Sequence, residues 1–230
     1  MDYSGSAKLA AMRHVFSSLL VLLLTACGSA WNDPYPAADR GRNILYSAFT
    51  DRPKHLDPVQ SYSEDEITFT AQIYEPPLQY HYLKRPYTLI AATAEAVPQA
   101  RYLDESGRVL PHDVEVEKIA YTDYVITLKP GIRYQPHPAF ARNATGDYLY
   151  HALTDKQLSG VTTLGEFIQR DTRELTAADY VYGLKRLAHP RLHSPIFGLM
   201  NDYIVGLSDF AARLKKERDK PWIDLRNTPL

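Results

Sequence analysis

The sequence predicts a mixed α/β fold, and three observations carry that expectation. A capping signal opens a periodic apolar segment at Ser63, a second one does so at Thr176, and between them two runs alternate at period two. The surrounding chain suits such a domain: 230 residues, 45% hydrophobic and 23% charged, which excludes disorder, collagen and coiled coil. A formal net charge of -1 leaves no basic excess to neutralise a phosphate backbone, so nucleic acid is not an expected partner. The single cysteine excludes an internal disulfide and a cysteine-based zinc site.

The first element is an address. Lys8 and Arg13 precede the apolar run from Val15 to Leu24, and Thr25 and Ala26 lead into Cys27, the pattern of a secretory signal over residues 1–26. Its ten apolar residues are too few for a hydrocarbon core that takes about 20 helical residues to cross. Leu24-Thr25-Ala26-Cys27 resembles a bacterial lipobox, in which cleavage precedes the cysteine and the new terminus is acylated. Two or more acyl chains would hold a domain stably on a membrane. Residues 27–42 are small, polar and Pro-containing (Ser29, Asn32, Pro34, Pro36), the composition of a tether.

Folding is expected from Asn43. Ile44 to Phe49 reads as a strand, closed by the Pro-containing stretch from Thr50 to Pro58. Ser63-Glu64-Asp65-Glu66 matches a capping box, so a helix is expected from Glu64 to Tyr74, ended by Pro76-Pro77. The acidic triplet would also suit acid/base catalysis or a metal, but a helix N-terminus favours carboxylates through its dipole, and the structural reading is preferred. Val114 to Ile119 and Tyr124 to Leu128 alternate around Thr122-Asp123 and predict a hairpin, with a parity shift that suggests a bulge near Glu117. A helix is expected from Leu164 to Arg170. Thr176-Ala177-Ala178-Asp179 caps another, in which Val181, Leu184, Leu187 and Ala188 recur at helical spacing until Pro190. A last helix is expected from Asn201 to Glu217, with Ile204, Leu207, Phe210, Ala211 and Leu214 on one face.

Signatures of catalysis are missing: there is no H-E-x-x-H, no Gly-rich loop after a strand and no G-x-S-x-G elbow. His189 and His193 have a metal-compatible spacing, but Pro190 breaks the helix that would align them, so both read as structural. Seventeen tyrosines stand against seven phenylalanines. Tyr supplies a rigid apolar plate with a polar tip for a wet recognition cleft, and it is also an ordinary strand residue; both readings stay open.

Several stretches, taken in order, resemble the N-terminal part of the family 5 extracellular solute-binding proteins, the peptide-binding components of ABC importers. They are Leu56-Asp57-Pro58, Ile73-Tyr74-Glu75-Pro76-Pro77-Leu78, Ala91 to Pro98 with Ala94-Glu95, Leu128-Lys129-Pro130-Gly131-Ile132-Arg133-Tyr134, and Leu175 to Leu187. Each is weak alone, and their order together with a lipobox is specific. Residues 43–230 would then be the N-terminal part of a solute-binding domain, the first lobe of a two-lobed periplasmic-binding-protein-like fold. An insertion at about 138–172 departs from the family pattern, and the chain stops where the rest of that lobe and the second would follow.

The resemblance implies a protein that clasps an extended peptide by hinge closure without altering it, needs no cofactor or metal, and works as a monomer with permease and ATPase subunits. The lipobox implies a lipid-anchored position in the periplasm or at the cell surface, and the absence of Asp just after Cys27 resembles the outer-membrane-sorted type if the cell is Gram-negative. Ligand contacts are expected from Ala48, Phe49, Thr50 and Asp51 and from Tyr74 and Glu75, whereas Asp57, Arg186 and Asp179 read as scaffold. The alternatives are an anchored envelope hydrolase or assembly protein with its active residues in the insertion, and a single lobe that folds but cannot clamp.

Overall fold

The computed structural model describes residues 34–220 and 223–230. Cys27 and the apolar run before it lie outside the described residues. Among those that are described, no helix is long and apolar enough to cross a membrane. The chain divides into two compact units between Ala48 and Phe49.

In the first unit a 3-10 turn, Ala37–Asp39, is fastened by the Asp39 carboxylate. It accepts bonds from the Arg42 guanidinium and the Tyr46 hydroxyl, both at 2.7 Å, and the Tyr35 and Tyr46 rings stack at 3.8 Å. The strand expected over Ile44 to Phe49 does not form. An apolar run becomes a strand only where a neighbour accepts its N–H groups; here no ladder includes it among the described residues, and the Ile44 N–H turns back to the Arg42 carbonyl at 3.0 Å.

The second unit begins its regular structure with α1 (Glu64–Ile73), where the sequence places it. Ser63 Oγ accepts the Glu66 N–H at 3.3 Å, and Glu66 Oε2 accepts the Ser63 N–H at 3.2 Å, so two orphan donors are satisfied reciprocally. After Pro76-Pro77 the chain makes an antiparallel hairpin of β1 (Leu78–Tyr80) and β2 (Leu89–Ala91), with Gln79 opposite Ile90. A second antiparallel pair joins β3 (Ala100–Leu103) to β4 (Tyr121–Tyr124), with Arg101 opposite Asp123.

That second pair corrects the hairpin expected over 114–128. Val116–Lys118 is a 3-10 turn, so the parity shift read as a bulge near Glu117 is a turn, and Thr122 and Asp123 lie in a strand instead of at a bend. Alternation marks residues suited to a ladder but does not choose the partner. Here the partner is an earlier segment, whose Arg101 forms an ion pair with Asp123.

Four helices follow among the described residues. The short α2 (Asp155–Leu158) is capped by Thr154 and Gln157. Helix α3 (Ala177–Leu187) starts at its predicted cap, where Asp179 Oδ2 accepts the Thr176 N–H at 2.8 Å. The single helix expected from Asn201 to Glu217 is two, α4 (Phe197–Tyr203) and α5 (Leu207–Lys215). Gly206 separates them at φ +85°, a left-handed conformation that glycine adopts without a β-carbon penalty. The helix expected from Leu164 to Arg170 is a single 3-10 turn, Leu164–Glu166.

Leu207, Phe210 and Leu214 form one face of α5, as their spacing predicts, and are buried with Ala188, Ile223 and Leu225; Tyr182, Phe197, Met200, Ile204 and Ala211 pack around them. Lys185 is buried beside this cluster, and its ammonium donates to the carbonyls of Leu225 at 3.2 Å and Arg226 at 3.4 Å, which ties the C-terminal segment to α3. Fully burying such apolar side chains stabilises by about 1.5–3 kcal/mol each. Phe210→Ala should therefore lower unfolding free energy by about 3–5 kcal/mol in urea titration, whereas Val205→Ala, at an exposed position, should change it by under about 0.5 kcal/mol.

Candidate functional site

The expected ligand residues fall on two stretches of different character. Ala48, Phe49, Thr50 and Asp51 are all exposed, and none makes a hydrogen bond among the described residues. Ala48 closes the first unit, and the other three open the second. The Phe49 ring packs edge-on against Phe69 of α1, with centroids 5.2 Å apart. Tyr74 is the C-cap of α1, its N–H donating to the Thr70 carbonyl at 2.9 Å while its side chain stays exposed. Glu75 is exposed too, and its carbonyl accepts the Tyr180 hydroxyl at 2.7 Å. No hydrogen bond or ring contact joins 49–51 to Tyr74 or Glu75 among the described residues.

Immediately after the exposed run the chain is clamped. Glu66 is only 4% exposed, and its Oε1 accepts the N–H groups of Lys54 at 3.0 Å and His55 at 2.8 Å. Its Oε2 takes those of Tyr62 at 3.0 Å and Ser63. Backbone donors from Tyr62, His55 and Ser63 hold its pKa down, to about 2. The sequence pattern marks Glu66 as a cap residue in preference to a catalytic or metal-binding one; that it also fastens a loop eleven and twelve residues upstream has no local signal.

Asp57, two residues further on, is gripped by both arms of the Arg186 guanidinium from α3, one at 2.9 Å, and its Oδ1 accepts the Val59 N–H at 3.1 Å. Burial alone would raise its pKa, but the bonds from Arg186 and Val59 prevail and hold it below the ordinary carboxylate value. Asp179 behaves in the same way. It is a helix-start residue, as expected, and also pairs with Arg173, which outweighs the effect of burial and lowers its pKa. Arg173 in turn lies over the Tyr134 ring at 4.7 Å.

Tyr180 holds a position that no local sequence signal marks. Its hydroxyl bonds the Glu75 carbonyl and Thr93 Oγ1, both at 2.7 Å, and Thr93 is itself buried beside the Pro76 carbonyl at 3.3 Å. Further along, Lys129 N–H donates to Thr93 O at 2.9 Å, its ammonium reaches Ala92 O at 2.7 Å, and Glu95 N–H donates to Thr127 O at 2.8 Å. Leu175 N–H meets Ile132 O at 2.8 Å, and Glu174 Oε1 accepts the Gly131 N–H at 2.6 Å. The stretches quoted for the resemblance thus form one connected set of bonds.

Residues 138–172 leave the rest of the second unit on a narrow stem, where His137 N–H donates to the Asp171 carbonyl at 2.9 Å and Tyr134 N–H to the Arg173 carbonyl at 3.0 Å. Within this segment the Tyr148 ring stacks on the His151 ring at 4.1 Å and has the Arg142 guanidinium over it at 4.0 Å, and His151 Nε2 lies 3.1 Å from the Ala139 carbonyl. His189 and His193 line a cavity of about 260 Å³ with Pro190, Ser194, Phe197 and Lys215 among its walls. Burial, reinforced by the charges of Arg191 and Arg186, pushes the His189 pKa down, and its Nδ1 accepts the Arg191 N–H at 3.2 Å. Among the described residues no group of three or more His, Cys, Asp or Glu side chains is placed to hold a metal ion.

Comparison with known proteins found no similar sequence or structure: no family model, no curated protein and no solved structure matches the chain.

The Glu66 clamp makes stability depend on pH in a definite direction. Its folded pKa, about 2, lies below the ordinary 4.5, so its contribution is complete above 4.5 and is lost as pH falls toward 2. Glu66→Gln should lower the urea midpoint at neutral pH, and the gap between variant and parent should close over that acidic window. A gap of constant size would assign the loss to packing instead of charge.

Proposed function

We propose that this chain is the lipid-anchored, extracytoplasmic solute-binding component of an ABC importer for peptides, holding one side of an extended ligand without reacting with it. Its partners would be permease and ATPase subunits, and its anchor Cys27. Ala48 to Asp51, with Tyr74 and Glu75, are the ligand contacts in this reading.

The observation that carries it is the backbone of Phe49 to Asp51, which makes no hydrogen bond among the described residues and runs directly into a loop that Glu66 and Asp57 hold fixed. Backbone amides and carbonyls are the same in every peptide. A run of free donors and acceptors therefore gives sequence-tolerant pairing, and a fixed support lowers the ordering cost of binding. The ordered resemblance supports the same reading, since its stretches are bonded to one another across the second unit: Asp57 to Arg186, Tyr180 to Glu75, and Lys129 to Ala92. Residues of a common scaffold have a reason to occur together.

Purified protein should carry peptide detectable by mass spectrometry and bind a mixed peptide pool in calorimetry. Thr50→Pro removes one backbone donor from the exposed run without touching the core. It should weaken peptide binding by about tenfold, the equivalent of about 1.4 kcal/mol, with an unchanged thermal midpoint. Protein that neither carries nor binds peptide would show the ligand class to be wrong.

A further inference from the structure

The loop between β1 and β2 presents a surface that the peptide-binding reading does not use. Between Glu75 and Glu95 the chain has no carboxylate, while His81, Lys84 and Arg85 sit at the loop. Its large side chains stand in solvent: Tyr82 is 88% exposed, Leu83 77%, Tyr87 70% and Tyr80 67%. Contiguous exposed apolar groups on a folded protein mark a place of interaction more often than single ones do.

The loop is also organised. His81 N–H donates to the Thr88 carbonyl at 2.8 Å, and His81 Nδ1 accepts the N–H groups of Leu83 at 3.2 Å and Lys84 at 3.3 Å. Arg85 donates to the carbonyls of Lys84 at 2.9 Å and Tyr82 at 3.3 Å, and its guanidinium lies 4.5 Å over the Tyr87 ring. Tyr87 packs against Tyr80 with centroids 5.7 Å apart. Bonds inside the loop thus hold its backbone while Tyr82 and Leu83 stay uncovered.

The chemistry selects the occupant. Tyrosine, leucine and a basic pair form the set that a bilayer interface accommodates, with ring bodies at the acyl boundary and hydroxyls and cations among the headgroups. A stable protein partner calls for about 20–30 residues on each side, which one hairpin tip does not supply. Interfacial insertion needs burial by only about 5–10 Å. Lys84 and Arg85 form no ion pair among the described residues, and such cations are drawn to anionic headgroups within a Debye length of the surface.

We propose that the tip of the β1–β2 hairpin, Tyr80 to Tyr87, docks on anionic phospholipid surfaces, with Tyr82 and Leu83 entering the interface and Lys84 and Arg85 meeting the headgroup phosphates. The contact is reversible, needs no acyl chain and does not depend on which solute the protein carries.

The test uses the chain from residue 27 onward with Cys27→Ser, so that neither leader nor acyl chain contributes. It is sedimented with vesicles of phosphatidylethanolamine and phosphatidylglycerol in equal parts, and with vesicles of phosphatidylcholine alone. The protein should follow the anionic vesicles and be released by added salt. Tyr82→Ser with Leu83→Ser should cut partition by about tenfold or more, and Lys84→Gln should reduce the preference for anionic lipid. Circular dichroism should match the parent throughout, since these side chains are exposed. Three results would overturn the proposal: no sedimentation of the parent, equal partition onto neutral vesicles, or unchanged partition of the double variant. Self-association that the double variant abolishes, without vesicle binding, would assign the tip to a second copy and overturn it as well.

Discussion

Asp57 and Arg186 stand 129 positions apart, and two parallel bonds between carboxylate and guanidinium bring them together. The second unit needs such closures because its sheets are small. Among the described residues they are two separate antiparallel pairs of three and four residues per strand, which carry little independent stability. Cohesion comes from side chains that reach across the chain: Arg186 to the loop after the exposed run, Tyr180 to the end of α1, Lys129 to the segment after β2, and Lys185 to the C-terminal segment. Asp57 and Arg186 are each somewhat over a quarter exposed, so their pair lies between two regimes. Exposed ion pairs contribute about 0–1 kcal/mol, whereas hydrogen bonds to charged groups that are shielded from water contribute about 1.5–3 kcal/mol.

What was legible in the sequence is what local chemistry decides. Ser63 with Glu66, and Thr176 with Asp179, start helices through bonds that span three residues, and both helices begin where these signals put them. The buried face of α5 was equally readable, because Leu207, Phe210 and Leu214 recur at helical spacing. The pairing of β4 was not readable. Its alternation is genuine, but its partner lies beyond a 3-10 turn and a loop that starts at Asp104, and nothing within a window of ten residues distinguishes β3 from the neighbour that was expected. Gly206 hides in the same way: a single glycine inside an amphipathic pattern is compatible with a continuous helix until its φ is known.

For the site, the scaffold was easier to read than the contacts. Asp57, Arg186 and Asp179 are paired and partly buried, as structural residues should be. Tyr180 escaped notice because its role lies in one hydroxyl, which meets a carbonyl 105 positions away. The tyrosine excess divides along the same line. Tyr180 and Tyr134 sit partly buried among bonds and cations, while Tyr80, Tyr82 and Tyr87 project from one hairpin. An apolar ring with a polar tip serves both ends, so residue counts alone could not separate them.

Whether the bonded stretches form one cooperative scaffold is open to direct measurement by native-state hydrogen exchange on the parent and on Asp57→Asn, which keeps the shape and removes the charge. The amides of Lys129 and Leu175, bonded to Thr93 and Ile132 and remote in sequence from the substitution, should lose protection together with those of α3. Loss confined to the amides beside residue 57, with Lys129 and Leu175 unaffected, would contradict such a scaffold.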